Sequence, residues 1–298
     1  MITLVPDYYY KFHCIANNCK HSCCIGWEID IDDKTYRKYI EYKGPLKHAL
    51  KECICHGETP YFKLDEKKRC PFLNDNNLCD IYCEMGEESL CQICTDHPRF
   101  RNFYSSITEV GLGICCEEAC RIIMKHDNSF KTIVYDSDEN DVELTDEEAA
   151  FFKIRDKIIS ILNNRSQNIE ERFLCIWDLF SVNVEIPDLK SIFTDLEYMD
   201  HNISELITYP ACVNESYLEQ LAVYFIFRHM TGALDDGLFV ERAVFAYIGV
   251  KAVSAMCKSD SFEEFCENAR IFSSEIEYSE DNIDEILFRI GDLIEISI

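Results

Sequence analysis

The chain has 298 residues, 47% of them apolar and 28% charged, so it can bury a core and is not disordered as a whole. Its net charge of −26 argues against nucleic acid, which needs a basic footprint, and against anionic membrane surfaces. No apolar run approaches the ~20 residues of a membrane span. The start, MITLVPDYYYKFHC, lacks the basic stretch, apolar run and small-residue cleavage site of a secretory signal. A cytoplasmic location with reduced thiols is therefore expected.

In chain order, short helices are predicted at 33–43, 86–95 and 117–126. They are separated by loops broken at Gly44-Pro45, Gly57, Pro60 and Pro71. An acidic stretch at 136–148 follows, and Thr145 and Glu148 at its end have capping-box spacing. Beyond it the apolar spacing becomes helical: 146–164, 169–184, 215–232, 237–257, 262–277 and 283–296, with a second capping box at Ser261 and Glu264. Pro187 and Pro210 fall between helices, where proline belongs. Charge divides with this pattern: residues 1–125 carry a net of −3 and the rest −23. The expected fold is mainly α. A cysteine-rich, loop-dominated, metal-organised domain at 1–126 precedes an acidic linker at 127–145 and an antiparallel α-helical domain at 146–298.

Fourteen of the 18 cysteines lie in residues 1–120. The other four, Cys175, Cys212, Cys257 and Cys266, sit singly in helical sequence and read as small core residues. The N-terminal set runs Cys14-x4-Cys19-x3-Cys23-Cys24, then Cys70-x8-Cys79-x3-Cys83, Cys91-x2-Cys94 and Cys115-Cys116-x3-Cys120. Thiols in this density in a reduced chain point to a metal. Zinc sites favour regular pairs, and only Cys91-x2-Cys94 supplies one. The irregular spacing therefore favours an iron–sulfur cluster, with zinc as the alternative metal.

The run FHCIANNCKHSCCIGWEIDID, CPFL at Cys70, LCDIY at Cys79, LCQICTDHPR at Cys91 and CCEEACR around Cys116 resemble, in colinear order, the flagellin lysine-N-methylase family. So does NESYLEQLAVYFIFRHM in the second half. The resemblance implies an S-adenosylmethionine-dependent methyltransferase that methylates lysine side chains of flagellin, its partner in the bacterial flagellum. A 4Fe–4S cluster would be its metal cofactor. The expected metal ligands are Cys19, Cys23, Cys24, Cys70, Cys79, Cys91, Cys94 and Cys116. The family's closing Cys-Pro-Glu-Ala-Ala-Arg is altered here, with Glu117 after Cys116 and Cys120 in place of an alanine. His97 stands where a tyrosine precedes Pro-Arg.

Such a reaction needs a neutral lysine, because an ammonium has no lone pair. The reference pKa of ~10.4 must be overcome by desolvation or a base. Asp96, His97 and Glu118 are the candidate catalytic groups. Arg99 and Arg121 are candidates for the donor carboxylate, and Trp27 for a cationic group. No glycine-rich nucleotide loop is present; Gly111-Leu112-Gly113 is too short. The alternative reading is a non-catalytic zinc- or iron-binding module with a helical partner-docking domain.

Overall fold

The computed structural model describes residues 1–137, 143–208 and 213–296. Pro210, Cys212 and positions 138–142 of the acidic stretch lie outside the described residues. The first elements are β1 (Ile2–Pro6), α1 (Asp33–Glu41), α2 (Lys47–Cys53), β2 (Ile54–His56), β3 (Pro60–Phe62), α3 (Asp80–Met85) and α4 (Gln92–Asp96). Then come β4 (Arg99–Phe103), β5 (Ile107–Leu112), α5 (Glu117–Met124) and β6 (Thr132–Ser137). The remainder is α6 (Asp146–Leu162), α7 (Ile169–Phe180), β7 (Val182–Val184), α8 (Leu189–Ile192), α9 (Ile203–Leu206), α10 (Glu215–His229), α11 (Ala233–Asp236), α12 (Phe239–Met256), α13 (Phe262–Phe272), α14 (Glu280–Gly291) and β8 (Ile294–Ile296). The protein is thus mainly α with some sheet. Among the described residues no helix is long and apolar enough to cross a membrane.

By internal contacts the chain forms two units. One comprises Met1–Phe12, Phe100–Cys115 and Ala119–Ile298; the other comprises His13–Arg99 and Cys116–Glu118. The first unit carries a four-stranded sheet in the order β4-β5-β1-β6, with β1 parallel to β5 and antiparallel to β6. No strand is predicted there from the sequence, and the sheet corrects that expectation. β5 is buried along its whole length, so ITEVGL shows no in–out alternation to read.

The helices of this unit follow the predicted spans closely. α6 opens with the full Thr145/Glu148 capping box. At α13 only half of the expected box forms: Ser261 accepts from the Glu264 N–H, while the Glu264 carboxylate accepts from Lys258 and Ser259 instead. Predicted helix 169–184 stops at Phe180, where Ser181 turns left-handed and β7 begins. Cys257 and Cys266 are buried as expected, whereas Cys175 is half-buried. α10 and α12 pack together at the centre and are buried nearly all round. Gly249 makes this possible, since a Cβ there would lie 2.6 Å from the Phe225 ring.

After α13 the chain makes a π-turn at Ser273–Glu277. This aims Glu277 into a buried polar group. Its carboxylate accepts from Tyr224 Oη at 3.0 Å and from His229 Nε2, with Arg228 Nε at 3.4 Å. Burial alone would raise the Glu277 pKa, but Arg228 and His229 hold it down to about 2. Burial lowers the His229 pKa despite its bond to Glu277. Both folded values lie below the unfolded ones, so stability is lost as pH falls. His229 acts first, below pH ~6.5, and Glu277 follows below ~4.5. Urea melts of Glu277→Gln at pH 7 and pH 3 should show the wild-type acid loss reduced by on the order of 2 kcal/mol. An unchanged acid slope would contradict the assignment.

Candidate functional site

The second unit has short elements tied together by side-chain caps. Asp32 caps α1 through Oδ1, which accepts from Thr35 N at 3.0 Å. Its Oδ2 accepts from Gln92 N, the first residue of α4, at 2.9 Å. One carboxylate therefore fixes two helix starts and places Cys91, the residue before α4. Cys94 N and Thr95 N both bond back to Cys91 O, closing the Cys-x2-Cys turn. Cys79 immediately precedes α3. The loop from Cys70 is held by Asn74, whose Oδ1 accepts from Asn76 N and Leu78 N and whose Nδ2 donates to Asp80. Cys70 N donates to Cys24 O at 2.8 Å. Gly26, at φ +101°, supplies the left-handed turn that brings Gly26 N onto Lys68 O.

The eight predicted ligands fall into two groups. Cys70 and Cys91 are buried in an apolar cluster with Ile29, Tyr39, Phe62 and Phe72, and Cys24, Cys79 and Cys94 pack against it. These five thiols interact electrostatically with one another. Cys19, Cys23 and Cys116 form the other group, joined by Cys14, which is not among the predicted ligands. Glu117 closes this group: its Oε2 accepts from Lys20 N at 2.8 Å and lies 3.7 Å from Cys19 Sγ. Cys23 and Cys24, adjacent in sequence, link the two groups through a thiol–thiol hydrogen bond.

Protonation follows from these contacts. The bond from the Cys23 thiol lowers Cys24 to about 7, against the opposing effect of burial, and Ser22 and Arg69 add to the lowering. Cys23 is raised correspondingly. Cys91 is lowered by a bond from Cys94 and by Tyr39, while Cys94 is raised. Burial pushes Cys70 up to about 12 and Cys19 to about 11. Cys24 and Cys91 are thus the sulfurs most ready to act as thiolates. Among the described residues, no set of three or more His, Cys, Asp or Glu side chains is spaced as around a bound metal ion. The all-sulfur donor set is still the kind that suits a soft metal.

The other predicted residues are divided. Trp27 and His97 stand together, ring centroids 6.0 Å apart, and Trp27 Nε1 donates to Cys23 O. Burial, with Arg99 nearby, lowers His97 to about 4, so its imidazole is neutral at pH 7. Arg99 Nη1 donates to Thr95 O at 3.0 Å, and Asp96 Oδ2 accepts from Gln92 Nε2 at 2.9 Å. Glu118 is half-buried in the first turn of α5. Arg121, further along α5, belongs to the other unit, its guanidinium 5.9 Å from the Phe262 ring centre. Sequence reasoning missed Tyr39, whose Oη donates to Ser89 O at 2.6 Å and lies 3.6 Å from Cys91 Sγ. A tyrosine on a short amphipathic helix carries no signal of a thiol 52 residues away. Cys14 could have been found from its spacing to Cys19.

The chain is similar to the lysine-N-methylases of Salmonella typhimurium (strain LT2) and Salmonella choleraesuis (strain SC-B67). Each is 24% identical over 180 residues, covering 55% of this chain and 43% of the relative. It is also similar to the flagellar biosynthetic protein FliU of Salmonella muenchen, 28% identical over 129 residues, which cover 40% of this chain and 75% of that protein. The match thus spans less than half the length of the two lysine-N-methylases. No family model matches the chain, and no solved structure matches it.

Proposed function

We propose that the protein transfers methyl groups from S-adenosylmethionine to lysine side chains of flagellin. The observation that carries this reading is the 24% identity over 180 residues with two lysine-N-methylases. We assign an iron–sulfur cluster, 4Fe–4S, to ligands drawn from Cys24, Cys70, Cys79, Cys91 and Cys94. The convergence of these five thiols supports the assignment. Bound there, a cluster would offer an open iron position for the amino and carboxylate groups of the donor.

The chain's own groups do the rest. Arg99 is assigned to the donor carboxylate and the Trp27 face to its sulfonium. Proton transfer from a free lysine, pKa ~10.4, to an imidazole at about 4 runs uphill by roughly six pK units. His97 therefore serves as a hydrogen-bond acceptor for an amine already neutralised by desolvation. Asp96 and Glu118 are the carboxylates assigned to attract the incoming ammonium, whose proton leaves to water as the amine is desolvated. Holding amine and sulfonium in line supplies most of the remaining acceleration.

The test is incubation of anaerobically purified protein, with iron and sulfide assayed, with methyl-labelled S-adenosylmethionine and flagellin. Label on flagellin lysines is the expected result. A fully iron-loaded protein that transfers none would overturn the reading. Zinc-loaded protein without transfer would favour the non-catalytic metal-binding module. The deep burial of Cys70 and Cys91, 7% and 1% exposed, suits that alternative.

A further inference from the structure

We infer that His126 and Asp7 form an acid-sensitive latch: it holds the exit of β1, residues 7–12, against residues 126–131, and protonation of the imidazole releases it. Both segments lie in the sheet-bearing unit, and the inference is independent of methyl transfer.

The latch sits where fixed elements run out. β1 is paired with β6 as far as Pro6, opposite Thr132, and α5 ends at Met124. Beyond those points the backbone is held locally. Asp7 N donates to Lys131 O at 3.1 Å, while Lys11 N and Phe12 N close turns onto Tyr8 O and Tyr9 O. Side chains fasten the rest. The His126 side chain is 2% exposed, and its Nε2 lies 3.1 Å from Asp7 Oδ1. Its ring meets Tyr8 edge-on, centroids 5.2 Å apart, and Tyr8 packs in turn on Phe130. Residues 7–12 are also the last of this unit before the chain passes to the other at His13, so the latch anchors that passage.

The pocket suits a neutral ring better than a charged one. Both imidazole nitrogens and Asp7 Oδ1 are buried without a hydrogen-bond partner. The His126–Asp7 contact is therefore close but not aligned. An imidazolium has two donors to satisfy and a charge to solvate, and water reaches it only when the segment opens. The surrounding charges do not reverse this. Burial lowers the His126 pKa; Asp7 and Asp127 oppose that, Lys11 and Arg165 add to it, and the net shift is downward. A folded value below the unfolded ~6.5 favours the closed form above that pH, and the closed form loses ground as pH falls below it.

The test is amide hydrogen exchange of the full chain at pH 7.5 and 5.5, corrected for the intrinsic change in rate. One pH unit below ~6.5, a solvated imidazole is about tenfold more protonated than neutral, which limits the effect to about tenfold. Amides of residues 7–12 and 126–131 should lose protection several-fold toward that limit. His126→Gln cannot take up the proton and should abolish this response, while α10, which carries His229, keeps its own. Asp7→Asn removes the countercharge and should bring the loss closer to the limit, a reading that stands even if the glutamine variant does not fold. Protection indifferent to pH in the wild type, a response that survives in His126→Gln, or one that Asp7→Asn diminishes would show that the imidazole is not the latch.

Discussion

Under the iron–sulfur assignment proposed above, stripping metal from anaerobically purified protein should unfold the cysteine-rich unit while the helices of the other unit stand. The cysteine-rich unit contains only short elements, the longest being the nine residues of α1. Its apolar core is small, and Cys70 and Cys91 are part of it. A core of that size is weak support for so many loops, which is where a metal staple adds most. Five of its thiols share one region, so the metal's binding free energy would be folding free energy. For structural zinc this reaches ~10–16 kcal/mol. The other unit buries α10 and α12 nearly all round and needs no metal to do so. Limited proteolysis read by mass spectrometry should show cleavage concentrated in residues 13–99 after chelation. Far-UV circular dichroism should fall only modestly, because the long helices α6, α7, α10 and α12 lie in the other unit. Cys70→Ser should mimic chelation and Cys83→Ser, at an exposed position, should not. Equal cleavage in both units, or none in either, would refute the metal's role in folding.

The sequence makes the helices legible because their caps and periodicities are local. Thr145 and Glu148 announce α6 three residues apart, and the structure shows both bonds. The sheet is not legible in the same way. β5 is buried on both faces and β1 finds its parallel partner about a hundred residues away, Ile2 opposite Ile107. The thiol site is intermediate. Spacing marks the cysteines, and five of the eight lie in or against one apolar cluster. What divides the eight is long-range: Asp32 fastening α4, and Glu117 returning to Lys20. Such contacts join residues 60 and 97 positions apart, a separation that no local pattern encodes.

Glu109→Gln should destabilise the sheet-bearing unit by about 3–5 kcal/mol, the usual cost of stranding one member of a buried ion pair. Glu109 is fully buried in the middle of β5, and Arg155 reaches it from α6 with two bonds. Burial disfavours the Arg155 charge, and Glu109 more than offsets that, so the Arg155 pKa is raised. Tyr104 Oη bridges the pair, donating to Glu109 at 3.1 Å and accepting from Arg155 at 3.1 Å. The guanidinium also lies 5.2, 4.9 and 5.5 Å from the ring centres of Phe151, Phe152 and Phe227. Ring faces stabilise a cation by only ~0.5–2 kcal/mol, too little to replace a bidentate carboxylate in a dry site. A glutamine keeps the shape and loses the charge, so the penalty falls on Arg155. In a thermal melt this should lower Tm by roughly 10 °C. The double variant Glu109→Leu with Arg155→Met removes both charges at similar volume and should be more stable than Glu109→Gln alone. A single variant costing under ~1 kcal/mol, or a double variant no better than the single, would mean that the pair is solvated and not buried as a unit.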